Sequence, residues 1–521
     1  MMQTSAQVTD GGGGKSLMDE VCCAMDRNRV AVWLVILIVY LLGFNGQWRV
    51  ESDSALYLSL GRNLAEGLGY TYQGMPHQLV HPGLPHVLAV CFALFGESRG
   101  MVMANVLMLG SGLAALWCCY RWVTMAVDRG VAMCVVAGLA GTFLFHRYCY
   151  QIMTDMPFVL GAAATLAGYE SLVVQKRWRH WESLLLPLGV WVMVMTRPVA
   201  WALVPAVGVG VIYHLILMVV KRQSLAAAWT AAVVLGGAGG YLWLKGTAGL
   251  TGGGNYEAFV VGQATQGGGA YWQIVWGNFG QLFQEIFSEA ILGFEAYFWG
   301  NIVVAVGLLG CVAATIRHRP IWAAWVAGTL AMMILVLPVD RYLLPIMPIF
   351  VVSWVMGLRE VSRWAARREV AGRWPGRWGR VAVAGLLGLG LVVNVPKVIG
   401  HIVEQNRRPF IEAYKGGRSL PIVMAARVVA EHVPADGVVL SPYKTDRIIS
   451  FYTRRKALGT VSMTTLPAGV EKFYVVLDET DAGQRRFLEE RGLRLGQQLA
   501  EIPGRPGRKG WALMEGRTPQ E

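Results

Sequence analysis

Charge is scarce in this chain: only 15% of its 521 residues are Asp, Glu, Lys or Arg, against 55% hydrophobic. That balance, with a mean hydropathy of +0.44, excludes an ordinary soluble domain and points to a polytopic α-helical membrane protein. Acidic charge is the scarcer kind, 33 Asp and Glu against 46 Lys and Arg. The basic excess lies in short blocks between apolar segments, as topology signals do, which favours membrane lipids and argues against nucleic acid as a partner. Cysteine is sparse as well. The eight cysteines, of which Cys311 is the last, show no Cys-x-x-Cys spacing, so neither a zinc motif of that kind nor a disulfide framework is implied. A signal peptide's cleavage pattern is also missing; residues 1–28 are polar, glycine-rich around Gly11–Gly14, and read as a disordered cytoplasmic tail.

Long apolar runs are what the chain does have. Segments near residues 30–46, 101–123, 131–145, 156–174, 184–194, 200–220, 225–244, 291–316, 321–337, 343–358 and 381–398 give about eleven spans. Arg27 and Arg29 hold the first span's start inside, and Lys176–Arg179, Lys221–Arg222, Arg317–Arg319 and Arg359–Arg380 fall on the same side. Residues 29–398 then form a transmembrane domain. The first external loop, from Glu51 to about Gly100, is mixed in character and reads as interfacial helices with a shorter apolar run at Leu84–Phe95. Gly246 to about Phe287 reads as a long glycine-punctuated loop offering Tyr256, Tyr271 and Trp272. Residues 399–521 read as a small external soluble α/β domain: helix Leu420–His432, strands Gly437–Leu440, Ile448–Tyr452 and Phe473–Leu477, and a charged helix at Ala482–Arg491.

With so few acids, Asp53 and Asp155 stand out, because each sits just outside an apolar segment on the same non-cytoplasmic face. Taken singly, each is better read as a helix cap, Asp53 at the opening of the first external helix and Asp155 two residues before Pro157. Taken together, two carboxylates at one membrane edge need a cation, a metal or a proton. Arg341 starts a span at that edge against the charge rule; its planar fork suits a phosphate, or Asp340 beside it serves as a structural partner. Arg197 reaches the same edge, and the simpler reading there is a headgroup anchor. His77, His81 and His86 cluster in a stretch broken by Pro and Gly, which favours surface or substrate contact over a zinc site.

The run from Asp53 through Tyr57 and Arg62 to Gly67, followed by Gly74-Met-Pro-His77, His81-Pro-Gly-Leu-Pro and Leu94-Phe-Gly96, resembles the first external loop of the GT-C glycosyltransferases. The likeness is strongest to the bacterial glycosyltransferase family 39-like branch, relatives of protein O-mannosyltransferases and lipid A aminoarabinose transferases. Thr154-Asp155-Met-Pro157 resembles that family's second acidic motif, and Arg341-Tyr342-Leu-Leu-Pro345 its late Arg-Tyr motif. The resemblance implies a transferase that moves a sugar, with inversion, from a polyprenyl-phosphate donor to a hydroxyl on a glycan, lipid or protein acceptor. It implies a multi-pass protein of the bacterial inner membrane, its active site and C-terminal domain on the periplasmic or extracellular side. Asp53 then corresponds to the catalytic base and Asp155 to a second carboxylate. The two together are candidates to hold a divalent cation, Mg or Mn. Arg341, Tyr342, His81, His77, Tyr57 and Arg62 are the candidate substrate contacts. His81-Pro-Gly stands where related enzymes often carry Lys-Pro-Pro, which weakens the expected phosphate contact because His is charged only part of the time near neutral pH.

The residue chemistry is consistent with this independently: an alcohol attacking an anomeric carbon must lose a proton to a nearby base, and a departing phosphate needs a cation. The alternative class is a transporter or flippase of lipid-linked sugars or other solutes. Transporters place polar groups near the midplane, on broken helices or in repeated halves; the chain has no such repeat, and its acids lie at the outer edge.

Overall fold

The computed structural model describes residues 16–77, 80–197, 199–221, 268–282, 286, 307, 309–310, 312, 320–336, 338–370, 377–442, 444–459, 470–478, 482–503 and 510–518. Its helices are α1 (Leu17–Arg27), α2 (Arg29–Leu42), α3 (Ser52–Ala65), α4 (Gly83–Ala126), α5 (Arg129–Gly141), α6 (Phe143–Tyr148), α7 (Asp155–Tyr169), α8 (Leu185–Thr196) and α9 (Ala200–Val220). After these come α10 (Gly268–Gln281), α11 (Pro320–Leu335), α12 (Met347–Val370), α13 (Arg377–Asn406), α14 (Phe410–Ala413), α15 (Leu420–His432), α16 (Asp446–Thr453) and α17 (Ala482–Glu490). Among the described residues, three helical stretches are long and apolar enough to cross a membrane: Gly83–Ala126, Asp155–Val174 and Leu203–Val220. The span expected at 225–244 and most of that at 291–316 lie outside the described residues, as does the 246–267 part of the expected long loop. The rest of that loop is not a loop, since Gly268–Gln281 is helical. Leu84–Phe95 and the expected span at 101–123 belong to one helix, α4, bent at Gly96, whose φ of 73° is open to glycine without strain.

One compact unit gathers Met1–Leu42, Gly110–Cys149 and Asp155–Gly400. It revises the expectation of a disordered tail through residue 28. Residues 1–15 are outside the described part, but Leu17–Arg27 is helical, capped by Ser16, with Met18 and Cys22 one turn apart and buried. On the polar face of α1, Asp19 pairs with Arg359 at 2.7 Å and Arg363 at 2.9 Å, and Arg359 also reaches Asp128, the N-cap of α5, at 2.5 Å. A polar composition masked this helix because the apolar stripe is narrow.

Within the same unit α7 and α8 form the closest helix pair. A β-carbon built on Gly168 would lie 2.2 Å from the backbone nitrogen of Leu186, and one on Gly189 would lie 2.6 Å from the backbone nitrogen of Thr165. Small residues let apolar helices approach until their backbones touch, the packing that replaces hydrophobic drive in lipid. The facing pairs, Gly168 with Leu186 and Thr165 with Gly189, run in opposite senses. The two helices are therefore antiparallel, and the start of α7 meets the end of α8.

The second unit gathers Gly43–Leu109, Tyr150–Thr154 and His401–Glu521. The C-terminal residues therefore cluster with the first loop. Two short strands, β1 (Thr71–Tyr72) and β2 (Met75–Pro76), make an antiparallel hairpin after α3. The C-terminal strands are β3 (Val438–Ser441), β4 (Lys456–Gly459), β5 (Lys472–Asp478), β6 (Arg494–Ile502) and β7 (Trp511–Arg517), arranged β4-β3-β5-β7-β6. β3 is parallel to both β4 and β5, with Val439 opposite Ala457 and Tyr474; β7 is antiparallel to β5 and β6. A parallel pair needs a crossover, and α16 is the one between β3 and β4. The expected strand at Ile448–Tyr452 is thus a helix. A short run of apolar and β-branched residues does not decide between the two, and tertiary packing does. Ile448 and Phe451 of α16 enter a core with Trp48, Ala55, Leu58, Leu88, Phe92, Ile152 and Val423, while Ile449 points into the sheet's core with Val429, Val439, Val476 and Leu513.

Candidate active site

The residues of the first loop converge at the head of α3. Glu51, with extended backbone, is the N-cap, so Asp53 is not the cap but sits in the first turn. Glu51 pairs with Lys415, and Asp53 Oδ1 accepts a hydrogen bond from Arg447 Nη1 at 2.9 Å. The Asp53 carboxylate is 39% exposed and the Arg447 side chain 32%. Solvent can therefore reach the acid. One turn further on the same face, the Tyr57 hydroxyl lies 3.4 Å from Thr154 Oγ1. Arg62, expected to touch substrate, is committed to structure instead. It is buried, its guanidinium donates to the Phe451 carbonyl at 2.9 Å, pairs with Glu97 at 3.2 Å, and lies 5.0 Å over the Phe451 ring.

The three histidines do not gather on one ligand. His77 is set edge-on between Tyr70 and Tyr72, each ring centroid 6.1 Å away, and its Nε2 has no hydrogen-bond partner. Burial, with Arg447 adding a smaller push, holds the His77 imidazole down to about 4, so it is neutral at physiological pH and is not a cation for phosphate. His86 stacks on Tyr70 at 6.2 Å. His81 is half-buried just ahead of α4. Among the described residues, no group of three or more His, Cys, Asp or Glu side chains is arranged to hold a metal ion.

In the other unit, Asp155 opens α7 and Arg197 closes α8, and the antiparallel seam brings them together at 2.8 Å. Their side chains are 1% and 9% exposed. Arg197 is therefore not a headgroup anchor; it is the buried partner of the second acid, and its guanidinium lies 5.2 Å over the Tyr342 ring. Tyr342 and Arg341 occupy a short 3-10 turn, Asp340–Leu343, in which Asp340 accepts from the Arg341 backbone N–H at 2.7 Å and Arg341 lies 5.9 Å over Tyr342. Tyr148, at the end of α6, lies within electrostatic reach of Asp155, Asp340 and Arg341. Asp155, Arg197, Tyr342 and Arg341 thus form a chain of charge and aromatic contacts.

No protein-family model and no curated protein matches the chain. Solved structures do. The ArnT from Cupriavidus metallidurans, crystallised bound to undecaprenyl phosphate, aligns over 93% of this chain and 97% of its own with a TM-score of 0.55 at 13% identity. The fold is that of the GT-C glycosyltransferases. The Archaeoglobus fulgidus oligosaccharyltransferase tethered with an acceptor peptide shares the GT-C fold over 82% of this chain and 63% of its own, with a TM-score of 0.52 at 12% identity. The same archaeal enzyme in complex with zinc and sulfate aligns over 92% of this chain and 73% of its own, with a TM-score of 0.51 at 12% identity. At such low identity the agreement lies in architecture.

Two residues of these sites escaped the sequence reading. Arg197 was visible but looked like an interfacial cation, because nothing in the order of residues reveals that α7 and α8 pair through glycine. Arg447 was hidden by the strand reading of the segment after it; the signal that could have found it is Asp446-Arg447 opening a stretch whose Ile448 and Phe451 recur at helical spacing.

Proposed function

We propose that this chain is an integral membrane glycosyltransferase that moves a sugar from a polyprenyl-phosphate donor to a hydroxyl of a glycan, lipid or protein acceptor. The observation that carries the reading is the alignment, over nearly the full length of both chains, with an ArnT crystallised on undecaprenyl phosphate. Asp53 is the base: it is ionisable, reachable and placed at the head of α3. The acceptor oxygen forms a bond to the anomeric carbon while its proton passes to Asp53. The bond from that carbon to the phosphate oxygen breaks, and its electron pair leaves with the polyprenyl phosphate. Attack opposite the leaving group inverts the centre. By its motif Arg341 is the candidate cation for the phosphate, and within its own unit Asp155 holds Arg197 against Tyr342. Tyr57 and His81 line the acceptor and donor approach, with His77 contributing only as a neutral group.

About eleven spans, a bacterial inner membrane, and an active face with the C-terminal residues on the periplasmic or extracellular side complete the proposal. Asp53 and Asp155 each face a guanidinium, and among the described residues no three His, Cys, Asp or Glu side chains are grouped to hold a divalent cation. No step is therefore assigned to one.

The test is transfer in proteoliposomes supplied with several polyprenyl-phosphate sugars and hydroxyl acceptors. Asp53→Asn, folded like the wild type, should lose about 10²–10⁴-fold in kcat, the usual worth of a positioned base. Undiminished transfer would refute the assignment of the base. Movement of lipid-linked sugar across the bilayer with no glycosidic product would refute the transferase reading.

A further inference from the structure

The C-terminal residues would ordinarily be read as a cover or an acceptor-binding module. Their contact with Asp53 suggests a more specific task. Asp53 and Arg447 are 394 residues apart in sequence, yet Arg447 Nη1 donates to Asp53 Oδ1 at 2.9 Å with good geometry for a charge-assisted bond. This is not a chance surface pair, because the helix bearing Arg447 is fixed twice over. Ile448 and Phe451 sink into the core that also takes Ala55 and Leu58 of α3. Phe451 is gripped further by Arg62, which uses its guanidinium on the Phe451 carbonyl and ring, and Phe451 and Tyr452 both pack on Trp48. Around the same interface Lys415 holds Glu51, and Arg454 holds Glu66 at 3.0 Å and Glu97 at 3.1 Å. Together these contacts pack α16 along α3, from Arg447 at the head of α3 to Arg454 at its end.

We propose that Arg447 is a positioning residue for the transfer reaction: the C-terminal residues supply the cation that orients the Asp53 carboxylate and keeps it ionised between turnovers. The inference rests on the assignment of Asp53 as the base. Arg447 does not touch the reacting atoms; it occupies one carboxylate oxygen, and the proton from the acceptor is taken by the carboxylate it holds. The other titratable and charged groups on the elements packed against α3 include Asp446 beside Arg447, Arg454 with its partners Glu66 and Glu97, Tyr72 and His77 of the hairpin region, and Glu51 with its partner Lys415. His77 is neutral near physiological pH, and Arg447 is bonded directly to the Asp53 carboxylate.

The experiment compares wild type, Arg447→Gln, Arg447→Met and Arg447→Lys in the full-length protein, with kcat, the KM for the polyprenyl-phosphate sugar and the pH profile of kcat/KM as readouts. Removing an opposite charge at hydrogen-bond distance raises a carboxyl's proton affinity, so the acidic limb should move up by about one pH unit in Arg447→Gln and Arg447→Met. Their kcat should fall about tenfold or more through lost orientation, with the donor KM little changed. Arg447→Lys should restore the limb and part of kcat. The Met variant keeps the aliphatic stem, so a Gln variant that fails to fold does not leave the question open. An unmoved acidic limb in folded Arg447→Gln or Arg447→Met, or a Lys variant whose limb matches theirs, overturns the positioning role. That outcome is distinct from failure of the functional reading, in which Asp53→Asn itself transfers sugar like the wild type.

Discussion

Replacing Gly168 by Ala tests whether the seam between α7 and α8 is as tight as described. The added β-carbon would lie 2.2 Å from the backbone nitrogen of Leu186 and 2.7 Å from its Cα, where ordinary contact begins at 3.4 Å. The obstacle is backbone, so no side chain can rotate away; the helices must part by roughly an ångström. Overpacking of this kind costs about 1–3 kcal/mol. Ala's better helix propensity returns up to about 1 kcal/mol, so the net loss is about 2 kcal/mol. Gly110→Ala is the control, because nothing lies within 4 Å of its added carbon, and it should be neutral or stabilising by up to about 1 kcal/mol. The two variants are compared by thermal unfolding in the same detergent, at one scan rate because unfolding of such a protein is a rate measurement. The seam also ends at Asp155 and Arg197, so Gly168→Ala should lower transfer activity while Gly110→Ala should not. If both variants unfold and transfer alike, the account of the α7–α8 packing is wrong.

Other outcomes follow from the same structure. Arg197→Met removes the guanidinium that pairs with the Asp155 carboxylate, which is 1% exposed, and should cost about 3–5 kcal/mol; Asp155→Asn combined with Arg197→Met should recover much of that, and a double variant no more stable than the single would refute the pairing. His77 has a depressed folded value of about 4 against an ordinary 6.5. The unfolded chain therefore takes up the proton first as pH falls, and stability should drop between about 6.5 and 4 and be level above that window. His77→Phe should flatten this part of the pH–stability curve, and an unchanged curve would show that the histidine is not buried as described. Arg359→Ala cuts two partly exposed ion pairs of α1 at a cost on the order of 1 kcal/mol; limited proteolysis within residues 17–27 should become several-fold faster, and an unchanged rate would mean that α1 is held by Met18 and Cys22 alone.

Much of the architecture was legible because the signals were long. Helices lie within the expected apolar segments where residues are described, three of them long and apolar enough to cross a membrane, and Leu420–His432 matches residue for residue, because apolar periodicity over a dozen residues or more outweighs local exceptions. Shorter signals failed in both directions: Leu17–Arg27 looked too polar for a docked helix, and Ile448–Tyr452 looked like a strand. The motif residues Asp53, Tyr57, Asp155, Arg341 and Tyr342 were visible from residue type and order. Their partners were not, since Arg197 reaches Asp155 through a glycine seam and Arg447 reaches Asp53 through a crossover helix, both of which are products of packing. Arg62 shows the converse, a motif position whose side chain went to holding Phe451.

The 394-residue separation of Asp53 from Arg447 also has a meaning in time. A ribosome adding about 5–20 residues per second releases the α3 segment long before the α16 segment exists, so the first loop waits roughly 20–80 s for the rest of its core. During that interval Leu58, Trp48 and Ala55 lack Ile448 and Phe451, and the carboxylate at the head of α3 lacks its guanidinium. A chain that stops early would leave that apolar surface uncovered, which marks it for the proteases and chaperones that patrol the membrane face. Emergence of α16 and assembly of the Asp53–Arg447 pair are then a single event.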